Sequence, residues 1–556
     1  MRARQMPTIE TTPVPNWVLL AIFVALVLLY GATDPGDRFE SIDGYDYAQA
    51  AEIVPLPLTY DSRSILFHKV NRVVFLASQA LGLPFDAHRL IRMICMLSGA
   101  GSVLLLLRLC AVGFGLSWET SWLAAAILAV SYGFWRYAVE VEVYVPSIFL
   151  ILLTFCILCD GMDEPAPSAR PFLLAGALGG IACLYYQANC VPMCLAAPAV
   201  LLRRGKLGAL LWYGLAGAVV SVGGLVGAYL ASETTPLSIS GMSEFLSMRF
   251  GEFHPGRSLV ATFLGSAVAV VHDLVSINWL YGLEFFRLAV EGAMPGHASR
   301  LEGIGHAAVR FKPFIYAALL LLPLIAAVLV NAVITVIRHG LRPTFHHRHV
   351  LLVVWLVANV LMNGWLGSGE PEVWVTTLPA IILALAVLLL EPLIASNRGR
   401  WLWALPALML AHNILGGLGM FQRPTGVHQF KTAWLAGELK PTDVILVNQA
   451  DQRMWNYLRY RLGATVIYSD GETADVAAID SRFHPDRRPL DEMLKRVAER
   501  GGRTFTIGDL TRPAPALAKR IGEAEYTRSL SLAGRLQGRL RLVHEDSAGR
   551  IYVVRP

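Results

Sequence analysis

The chain has 556 residues, of which 55% are hydrophobic and 16% are charged, and its formal net charge is +6. Soluble domains usually carry about a quarter of their residues as charges, so this composition excludes an ordinary soluble protein and points to a membrane protein. The small positive balance comes without a basic groove interleaved with aromatic residues, which excludes a nucleic-acid-binding protein.

The charge deficit is uneven along the chain. The stretch from Trp17 to Met420 is dominated by long apolar segments, whereas Thr442 to Pro556 is charged throughout. This pattern predicts an all-α polytopic membrane bundle followed by a small α/β domain in water. The predicted units are an N-terminal anchor helix over 1–32, a first extracytoplasmic loop with amphipathic helices over 33–90, a transmembrane bundle over 91–421 and a soluble extracytoplasmic domain over 422–556.

Eleven apolar segments are predicted to cross the bilayer. They are Trp17–Tyr30, Ile91–Leu107, Ser121–Val139, Val143–Leu158, Pro171–Tyr186, Val191–Leu202, Leu207–Ala231, Phe314–Ile337, Val350–Leu366, Thr376–Leu390 and Trp401–Met420. Ser258–Tyr281 is ambiguous, because it fits either a tilted pair of half-helices or an interfacial segment.

Basic residues predict the orientation of these segments. Arg2 and Arg4 precede the first one, and strict alternation places the later basic turns on the same, cytoplasmic side. Those turns hold Arg108, Arg170, Arg203, Arg204, Lys206, Arg338, Arg342, Arg348, Arg398 and Arg400. An odd number of crossings then puts the first loop and the C-terminal domain outside. Cysteine usage and short loops favour a bacterial inner membrane.

The C-terminal part reads as alternating strands and helices. Strands are predicted at Val444–Val447, Ala464–Tyr468, Arg541–His544 and Ile551–Val554, and helices at Asp451–Leu462, Asp491–Glu499 and Ala516–Glu523. Neither a G-x-G-x-x-G motif nor a P-loop is present, so no nucleotide site is predicted. Asn448, Asp451 and Asp470 follow predicted strands, but a small domain of this kind more often docks or recognises an acceptor.

The predicted topology gathers most unusual polar residues on the outer side. They are Glu40, Asp43, Asp46 and Glu52 in the first loop, Arg136, Glu140 and Glu142 around the third and fourth segments, Gln187 and Asn189 after the fifth, and Glu370 and Glu372 between the ninth and tenth. Ionisable groups at membrane depth are costly and usually mark a site or a structural pairing. The site is therefore expected at this face.

The first loop also contains a predicted amphipathic helix from Arg63 to Leu83. Its spacing puts Ser64, His68 and either Asn71 or Arg72 on one side. A basic amphipathic helix at a membrane surface suits a lipid phosphate. The alternative interpretation is an interfacial helix that only packs on the bundle.

Three runs resemble a known family. SYGFWRYAVEVEVYVPSIF (Ser131–Phe149), LYYQANCVPMCLAAPAVLL (Leu184–Leu202) and GEPEVWVTTLPAIILAL (Gly369–Leu385) are similar to stretches of bacterial membrane proteins related to the protein O-mannosyltransferases. These are GT-C glycosyltransferases, which use polyprenyl-phosphate sugars. The resemblance covers about Trp17 to Met420 and implies an extracytoplasmic sugar transfer to a lipid, glycan or protein, by an inverting route.

The resemblance also implies a catalytic aspartate in the first outer loop, which here is Asp43 or Asp46. Such a carboxylate would act as the base for the acceptor hydroxyl. The departing lipid phosphate needs positive charge, which Arg63, His68, Arg72 or Arg136 would supply, or a divalent metal such as Mg or Mn. Substrate-binding roles are also predicted for Glu140, Glu142, Gln187, Asn189, Glu370 and Glu372.

Structural roles compete with these assignments. Arg136 and Glu140 have i, i+4 spacing and can form a helix ion pair. Asp43 and Asp46 can be solvated loop acids, with Gly44 between them in a turn. Gln187 and Asn189 can bridge helices, as polar residues in membranes often do, and Glu370 with Glu372 can belong to an interfacial girdle.

Two other functions compete with the enzyme. A transporter or flippase of lipid-linked sugars usually shows repeat symmetry and polar groups at mid-membrane, and the sequence shows no repeat. A non-catalytic envelope assembly protein would not need the first-loop acids, so their substitution would be harmless. The favoured prediction is the glycosyltransferase.

Overall fold

The computed structural model describes residues 14–34, 43–56, 64–163, 168–232, 237–247, 259–277, 279–280, 283–286, 288, 312–343, 346, 348–367, 371–418, 427–447, 452–469, 473–476, 488–507, 523–546 and 549–556. The helices of the N-terminal three quarters are α1 Asn16–Ala32, α2 Gly44–Ile53, α3 Ile65–Ala80, α4 Ala87–Arg108, α5 Trp118–Val130, α6 Tyr132–Ala138, α7 Tyr144–Asp163, α8 Ala169–Tyr185, α9 Cys190–Arg203, α10 Leu207–Ser232, α11 Ile239–Ser247, α12 Leu259–Leu274, α13 Lys312–Arg338, α14 His349–Gly367, α15 Pro371–Trp374, α16 Leu378–Leu385, α17 Glu391–Ala395 and α18 Ala404–Asn413.

The described residues form a multi-pass helical bundle. Six helices are long and apolar enough to cross a membrane, namely Ala87–Gly113, Tyr144–Asp163, Leu207–Ala231, Ile315–Arg338, Pro371–Ala395 and Arg400–Leu418. Five further apolar helices are shorter, with 10–17 residues, and they include α1, α5 and α8. The count of eleven crossings remains a prediction.

Glycines on α8 and α10 let these two neighbouring helices come into close contact. A Cβ atom on Gly176 would lie 2.2 Å from the carbonyl oxygen of Tyr213, and one on Gly180 would lie 2.8 Å from that of Gly217. Small residues at such positions allow backbones to approach in lipid, where dispersion packing drives helix association. Gly176, Gly180 and Gly217 therefore serve the packing of α8 against α10.

The predicted span Ser121–Val139 is wrong as a single helix. Ser131 has φ −63° and ψ 130°, so the chain leaves the α conformation there and separates α5 from α6. The carbonyl oxygen of Val130 at this break accepts a hydrogen bond of 2.7 Å from the Asn413 side chain. Such a break is tolerated at membrane depth because the freed backbone group finds a partner inside the protein.

The first loop contains two helices, of which the sequence predicted the bounds of one. The helix predicted over Arg63–Leu83 is α3, and Gly44, which the alternative interpretation placed in a turn, is instead the first residue of α2. On α3, His68 and Asn71 are buried while Val70 and Val73 are exposed. An apolar outer face with polar residues directed inward is typical of a helix lying in the membrane interface.

A seven-stranded sheet follows the bundle, with helices α19 Val427–Glu438, α20 Gln452–Leu462, α21 Leu490–Glu499 and α22 Glu523–Leu536. The strands are β1 Val444–Val447, β2 Thr465–Ser469, β3 Thr473–Val476, β4 Arg488–Pro489, β5 Thr504–Ile507, β6 Leu540–Asp546 and β7 Gly549–Val554. Their order is β4-β3-β2-β1-β5-β7-β6, with β1 parallel to β2 and β5 and the other pairs antiparallel.

Strands β1, β2, β6 and β7 lie within a few residues of the predicted strands, whereas β3, β4 and β5 were not predicted. Strand β5 lies beside β1 in the middle of the sheet. TFTI is a short strand whose four residues are all buried, so it carries no alternating pattern. The helix predicted at Ala516–Glu523 lies almost wholly outside the described residues, and so do Asn448, Asp451 and Asp470.

Helix α20 contacts α2 of the first loop. The side chains of Arg459 and Asn456 on α20 reach Asp46 on α2. A direct contact of this kind requires both elements to lie on one side of the membrane. The first loop and the C-terminal sheet domain therefore share a side, and which side that is remains a prediction.

Candidate functional site

The two first-loop aspartates have different surroundings. Asp43 immediately precedes α2, its side chain is exposed, and it makes no capping hydrogen bond to the helix. Asp46 is 6% exposed and forms an ion pair with Arg459, while Asn456 Nδ2 donates to its other oxygen at 3.0 Å. Both Asp46 oxygens thus bind the C-terminal domain, whereas the Asp43 side chain is exposed at the start of α2.

Helix α3 contributes its predicted residues to structure. Arg72 Nη1 donates to the carbonyl oxygens of Ala51 and Glu52, at 2.7 and 2.6 Å, and so satisfies the C-terminal end of α2. The His68 imidazole is buried and meets the Tyr47 ring edge to face, with 5.2 Å between centroids. Both residues hold α2 against α3. Arg63 lies outside the described residues.

Arg136 and Glu140 form the ion pair that their spacing allows. Arg136 Nε donates to Glu140 Oε1 at 2.8 Å, and the two side chains are 12% and 1% exposed. Arg136 lies on α6, and Glu140 and Glu142 lie in the non-helical link to α7. Glu142 is also buried, and its carbonyl oxygen accepts a hydrogen bond of 3.2 Å from Cys95 Sγ.

Asp273, near the end of α12, is a carboxylate that the sequence analysis missed. Its side chain is fully buried, and neither oxygen has a hydrogen-bond partner among the described residues. Its Oδ1 lies only 2.2 Å from where a Cβ atom on Gly133 would stand, so the glycine makes room for it on α6. The signal was present in the sequence, because an acid inside the apolar run Leu259–Leu274 usually marks a site or a structural pairing in a membrane protein.

Asp273 belongs to a group that we call the α6 cluster, formed by Arg136, Tyr137, Glu140, Asp273 and Glu372. The charges that act on Asp273 are those of Arg136 and Glu372. The Arg136 guanidinium lies 5.1 Å from the centroid of the Tyr137 ring, and all four other members of the cluster act electrostatically on the Tyr137 phenol. Helix α6 packs against α12 and α15, which carry Asp273 and Glu372. The structure thus brings Glu372 and Arg136 to the same side chain, Asp273, although about 240 residues of sequence separate them.

Aromatic rings link the α6 cluster to the first loop. The Tyr137 and Tyr144 rings meet with 5.6 Å between centroids, and Tyr144 is within electrostatic reach of Glu372, Glu142 and Tyr47. Trp135 Nε1 also donates to Thr33 Oγ1 at 2.9 Å, where α1 ends and the first loop begins. The cluster therefore sits at the end of the bundle that bears the first loop. Glu370 lies outside the described residues.

Asn189 is a structural bridge. Its Nδ2 donates to Ser147 Oγ at 2.7 Å and to the carbonyl oxygen of Ala182 at 2.9 Å, and Ser147 Oγ donates back to Oδ1 at 3.0 Å. These bonds join α7 to α8, as expected for a polar residue between membrane helices. Gln187 is half-buried in the adjoining 3₁₀ turn and takes no part in this bridge in the structure.

A second buried amide sets the positions of α6 and α12. Asn413 Nδ2 donates to the carbonyl oxygens of Val130 and Leu274, at 2.7 and 3.1 Å, and its Oδ1 accepts from the Ser276 backbone at 2.9 Å. One side chain thereby satisfies the ends of α5 and α12. Because α6 follows directly from α5, this residue holds the two elements that carry Arg136 and Asp273.

Among the described residues, no group of three His, Cys, Asp or Glu side chains is arranged to hold a metal ion. In the link from α6 to α7, Glu140 Oε1 accepts its hydrogen bond from Arg136. Asp86 immediately precedes α4. Burial alone would raise the pKa of Asp86, but hydrogen bonds from the Arg89 amide and the Arg461 guanidinium outweigh burial and hold that pKa below its usual value.

Comparison with known proteins identifies the fold. The chain matches ArnT from Cupriavidus metallidurans bound to undecaprenyl phosphate with a TM-score of 0.57 and 13% sequence identity, over 97% of this chain and 98% of ArnT. The apo state of the same ArnT gives 0.58 and 14%, over 97% of each chain. No family model matches the sequence, and no curated protein does.

An oligosaccharyltransferase from Archaeoglobus fulgidus, in complex with Zn and sulfate, gives a TM-score of 0.47 and 12% identity over 96% of this chain and 73% of that one. A score this low does not establish a shared fold. The ArnT match does, and because it spans nearly the whole of both chains, it includes the C-terminal sheet domain. The predicted GT-C resemblance is confirmed as a shared fold.

Proposed function

We propose that the protein is a membrane glycosyltransferase that moves a sugar from a polyprenyl-phosphate carrier to an acceptor hydroxyl on the extracytoplasmic side of a bacterial inner membrane. The observation that carries this proposal is the match to ArnT along nearly the whole chain, in a structure whose ligand is undecaprenyl phosphate. The α6 cluster, at the first-loop end of the bundle, supplies the charged groups that such a donor requires.

Asp43 is the proposed general base. A base must reach the acceptor proton, and Asp43 is exposed at the start of α2. Asp46 is buried, and both of its oxygens already accept hydrogen bonds. A carboxylate with its lone pairs committed to a guanidinium and an amide is a poor proton acceptor. The structure therefore favours the first of the two aspartates that the sequence left open.

The proposed reaction is a single displacement. The Asp43 carboxylate takes the proton of the acceptor hydroxyl while that oxygen forms a bond to the anomeric carbon. The bond between the anomeric carbon and the phosphate oxygen breaks, and its electron pair leaves with the polyprenyl phosphate. Attack opposite the leaving group inverts the anomeric configuration, and the transition state carries positive charge on the sugar ring.

Arg136 is the proposed contact for the departing phosphate. It is 12% exposed, and Glu140 holds its Nε so that the planar group is oriented before the substrate arrives. Guanidinium groups bind phosphate oxygens strongly. Asp273 and Glu372 are the proposed acceptors for sugar hydroxyl groups. A divalent metal such as Mg or Mn would add positive charge at the phosphate when bound, but the described residues offer it no ready site.

A flippase for lipid-linked sugars is the competing function. The α6 cluster could bind the same headgroup without reacting with it, and the fold alone does not decide between the two. The exposed carboxylate of Asp43 favours the enzyme, because transport needs no base.

The test is reconstitution of the full chain in liposomes with a panel of polyprenyl-phosphate sugars and an envelope extract as the source of acceptors. Release of polyprenyl phosphate together with labelled product supports the enzyme. Movement of a labelled donor between leaflets without release of polyprenyl phosphate would establish the flippase instead. Failure to bind any donor would overturn both assignments.

A further inference from the structure

Helix α20 of the C-terminal domain contacts the charged face of α2. Arg459 forms the buried ion pair with Asp46 and also donates from Nε to Gln49 Oε1, one turn further along α2. Asn456 completes the contact with its 3.0 Å hydrogen bond to Asp46. Two side chains from one turn of α20 thus bind two successive turns of the first-loop helix.

A second set of contacts holds the other end of α2. Tyr460 donates its hydroxyl proton to Glu52 Oε1 at 2.8 Å, and the same Glu52 oxygen accepts from the Ala87 amide at 2.9 Å. The His88 amide donates to the Tyr460 oxygen at 3.2 Å. Arg461 pairs with Asp86 at 2.9 Å. Helix α20 therefore joins the end of α2 to the start of α4.

Aromatic contacts fill the space between the two sets. The Tyr45 ring stacks on the His88 imidazole at 5.0 Å between centroids, with the planes 8° apart, and meets the Tyr457 ring edge to face at 5.4 Å. Tyr45 is the residue next to Asp46 and the second residue of α2. The ring contacts fix the rotation of α2 about its axis at the end where Asp43 stands.

Helix α2 depends on such contacts for its position. It has ten residues, no side-chain cap at its N-terminus and no basic residue in its last turn. Helices shorter than about 12–15 residues are marginal on their own in water. A buried ion pair adds little net stability, because desolvation offsets the attraction, and its best-attested role is to specify one arrangement.

We propose that α20 is a positioning element of the site, and that Arg459 is its central residue. Through Asp46, Arg459 fixes α2 and so sets the place of Asp43 relative to the α6 cluster. This inference rests on the proposed function for its catalytic consequence. It assigns to the C-terminal domain a role in the transfer step itself, in addition to any contact with the acceptor.

The test compares Arg459→Met with Arg500→Met in the full chain. Arg500 is an exposed arginine in the same domain, at the end of α21, and serves as the matched control. Small misplacements of a catalytic group cost up to about 100-fold in rate, so kcat is expected to fall by about 10- to 100-fold in Arg459→Met. The KM for the donor should change less than about threefold, because the α6 cluster is untouched. Arg500→Met should behave as the wild type.

Two further variants separate positioning from a general loss of folding. Arg459→Lys restores the charge opposite Asp46 and is expected to recover part of kcat. Asp46→Asn combined with Arg459→Met should be no slower than Arg459→Met alone, because both remove one contact. An unchanged kcat in Arg459→Met would overturn the inference. The inference would also be overturned if kcat and the amount of folded protein fell together in Arg459→Met and Arg459→Lys restored neither.

Hydrogen exchange in residues 44–53 tests the same inference without any activity. Arg459→Met is expected to exchange faster over α2 while α4 and the sheet stay protected, and Arg500→Met to exchange like the wild type. Exchange unchanged over α2 would overturn the inference whether or not transfer is observed. Absence of transfer in the wild type would refute the proposed function, and with it the catalytic consequence; faster exchange would then support only the structural contact.

Discussion

Asp46 and Asp273 are both buried aspartates, yet their surroundings differ in a way that separates structure from function. Both oxygens of Asp46 accept hydrogen bonds from the C-terminal domain. Neither oxygen of Asp273, between α12 and α6, accepts one from the described residues. In the first loop, the buried carboxylate of Asp46 forms a contact with the C-terminal domain. In the α6 cluster, the buried carboxylate of Asp273 has no hydrogen-bond donor among the described residues.

The free-energy cost of burying a carboxylate without a hydrogen-bond donor bears on the role of Asp273. A buried carboxylate without a hydrogen-bond donor is expensive, and folding alone gives no reason to keep one. Polar groups of this kind at membrane depth usually serve a substrate. The contrast predicts that substitutions around Asp46 affect the geometry of the first loop, and that substitutions in the α6 cluster affect substrate binding and transfer.

The largest effect among the α6 cluster residues is expected at Arg136. Arg136→Met should lower kcat/KM by about 10²- to 10³-fold, the usual cost of removing a charge-stabilising donor. It also leaves the buried Glu140 without its partner, which destabilises the protein by about 3–5 kcal/mol. The double variant Arg136→Met/Glu140→Gln removes both charges and serves as the control for folding. Transfer at the wild-type rate in the double variant would show that Arg136 takes no part in the reaction.

Asp273 gives the sharpest contrast with Asp46. Asp273→Asn keeps the shape of the side chain and removes a buried carboxyl group whose oxygens have no hydrogen-bond donor among the described residues, so the thermal midpoint should stay constant or rise. Transfer is nevertheless expected to fall at least about tenfold, since the carboxylate loses strength as an acceptor for sugar hydroxyls. Thermal melting checks the expected stability, and the rate of transfer together with the KM for the donor checks the expected loss of activity on the same preparation. A large loss of stability would show that Asp273 is structural.

The smallest effect is expected at a carboxylate that resembles Asp46 but lies far from the site. Burial would raise the pKa of Asp443, but hydrogen bonds from Arg503 and from the Lys440 and Arg503 amides outweigh it and hold that pKa below its usual value. The stabilisation is therefore complete above the unfolded pKa of about 4 and is lost as pH falls through the folded one.

Asp443→Asn should consequently lower the free energy of unfolding of the sheet domain by about 1–3 kcal/mol at pH 7, with transfer unchanged per folded molecule. The difference between variant and wild type should shrink as pH falls below about 4. Pulse proteolysis of the full chain in urea, at neutral and acidic pH, measures it. A difference that does not change with pH would assign the stabilisation to something other than this carboxylate.

The parts of the fold that depend on local pattern could be predicted from the sequence. The long apolar segments indicated the bundle, and the i, i+4 spacing of Arg136 and Glu140 indicated their pairing. Helix α2 was missed because Gly44 suggested a turn, although tertiary contacts hold that glycine at the start of a helix. The break at Ser131 was missed for a similar reason, since it depends on a partner, Asn413, far along the chain.

The arrangement of the site could be predicted only in part. Arg459 meets Asp46 across 413 residues, and no local pattern carries that information. Asp273 could have been found, since it is an acid in an apolar run, but the ambiguity of Ser258–Tyr281 hid it. Arg72 and Asn189 make hydrogen bonds within the protein, and the substrate-binding roles expected of them stay predictions. The roles proposed for Asp43, Glu372 and the rest of the α6 cluster remain predictions.

The most direct test of the account compares Asp43→Asn with Asp46→Asn for release of polyprenyl phosphate in the same liposome assay. The account predicts that Asp43→Asn loses about 10³-fold or more in kcat, as expected for removal of a general base, with donor binding retained. Asp46→Asn should lose no more than Arg459→Met does. Wild-type release by Asp43→Asn, or a larger loss in Asp46→Asn than in Asp43→Asn, would contradict the account.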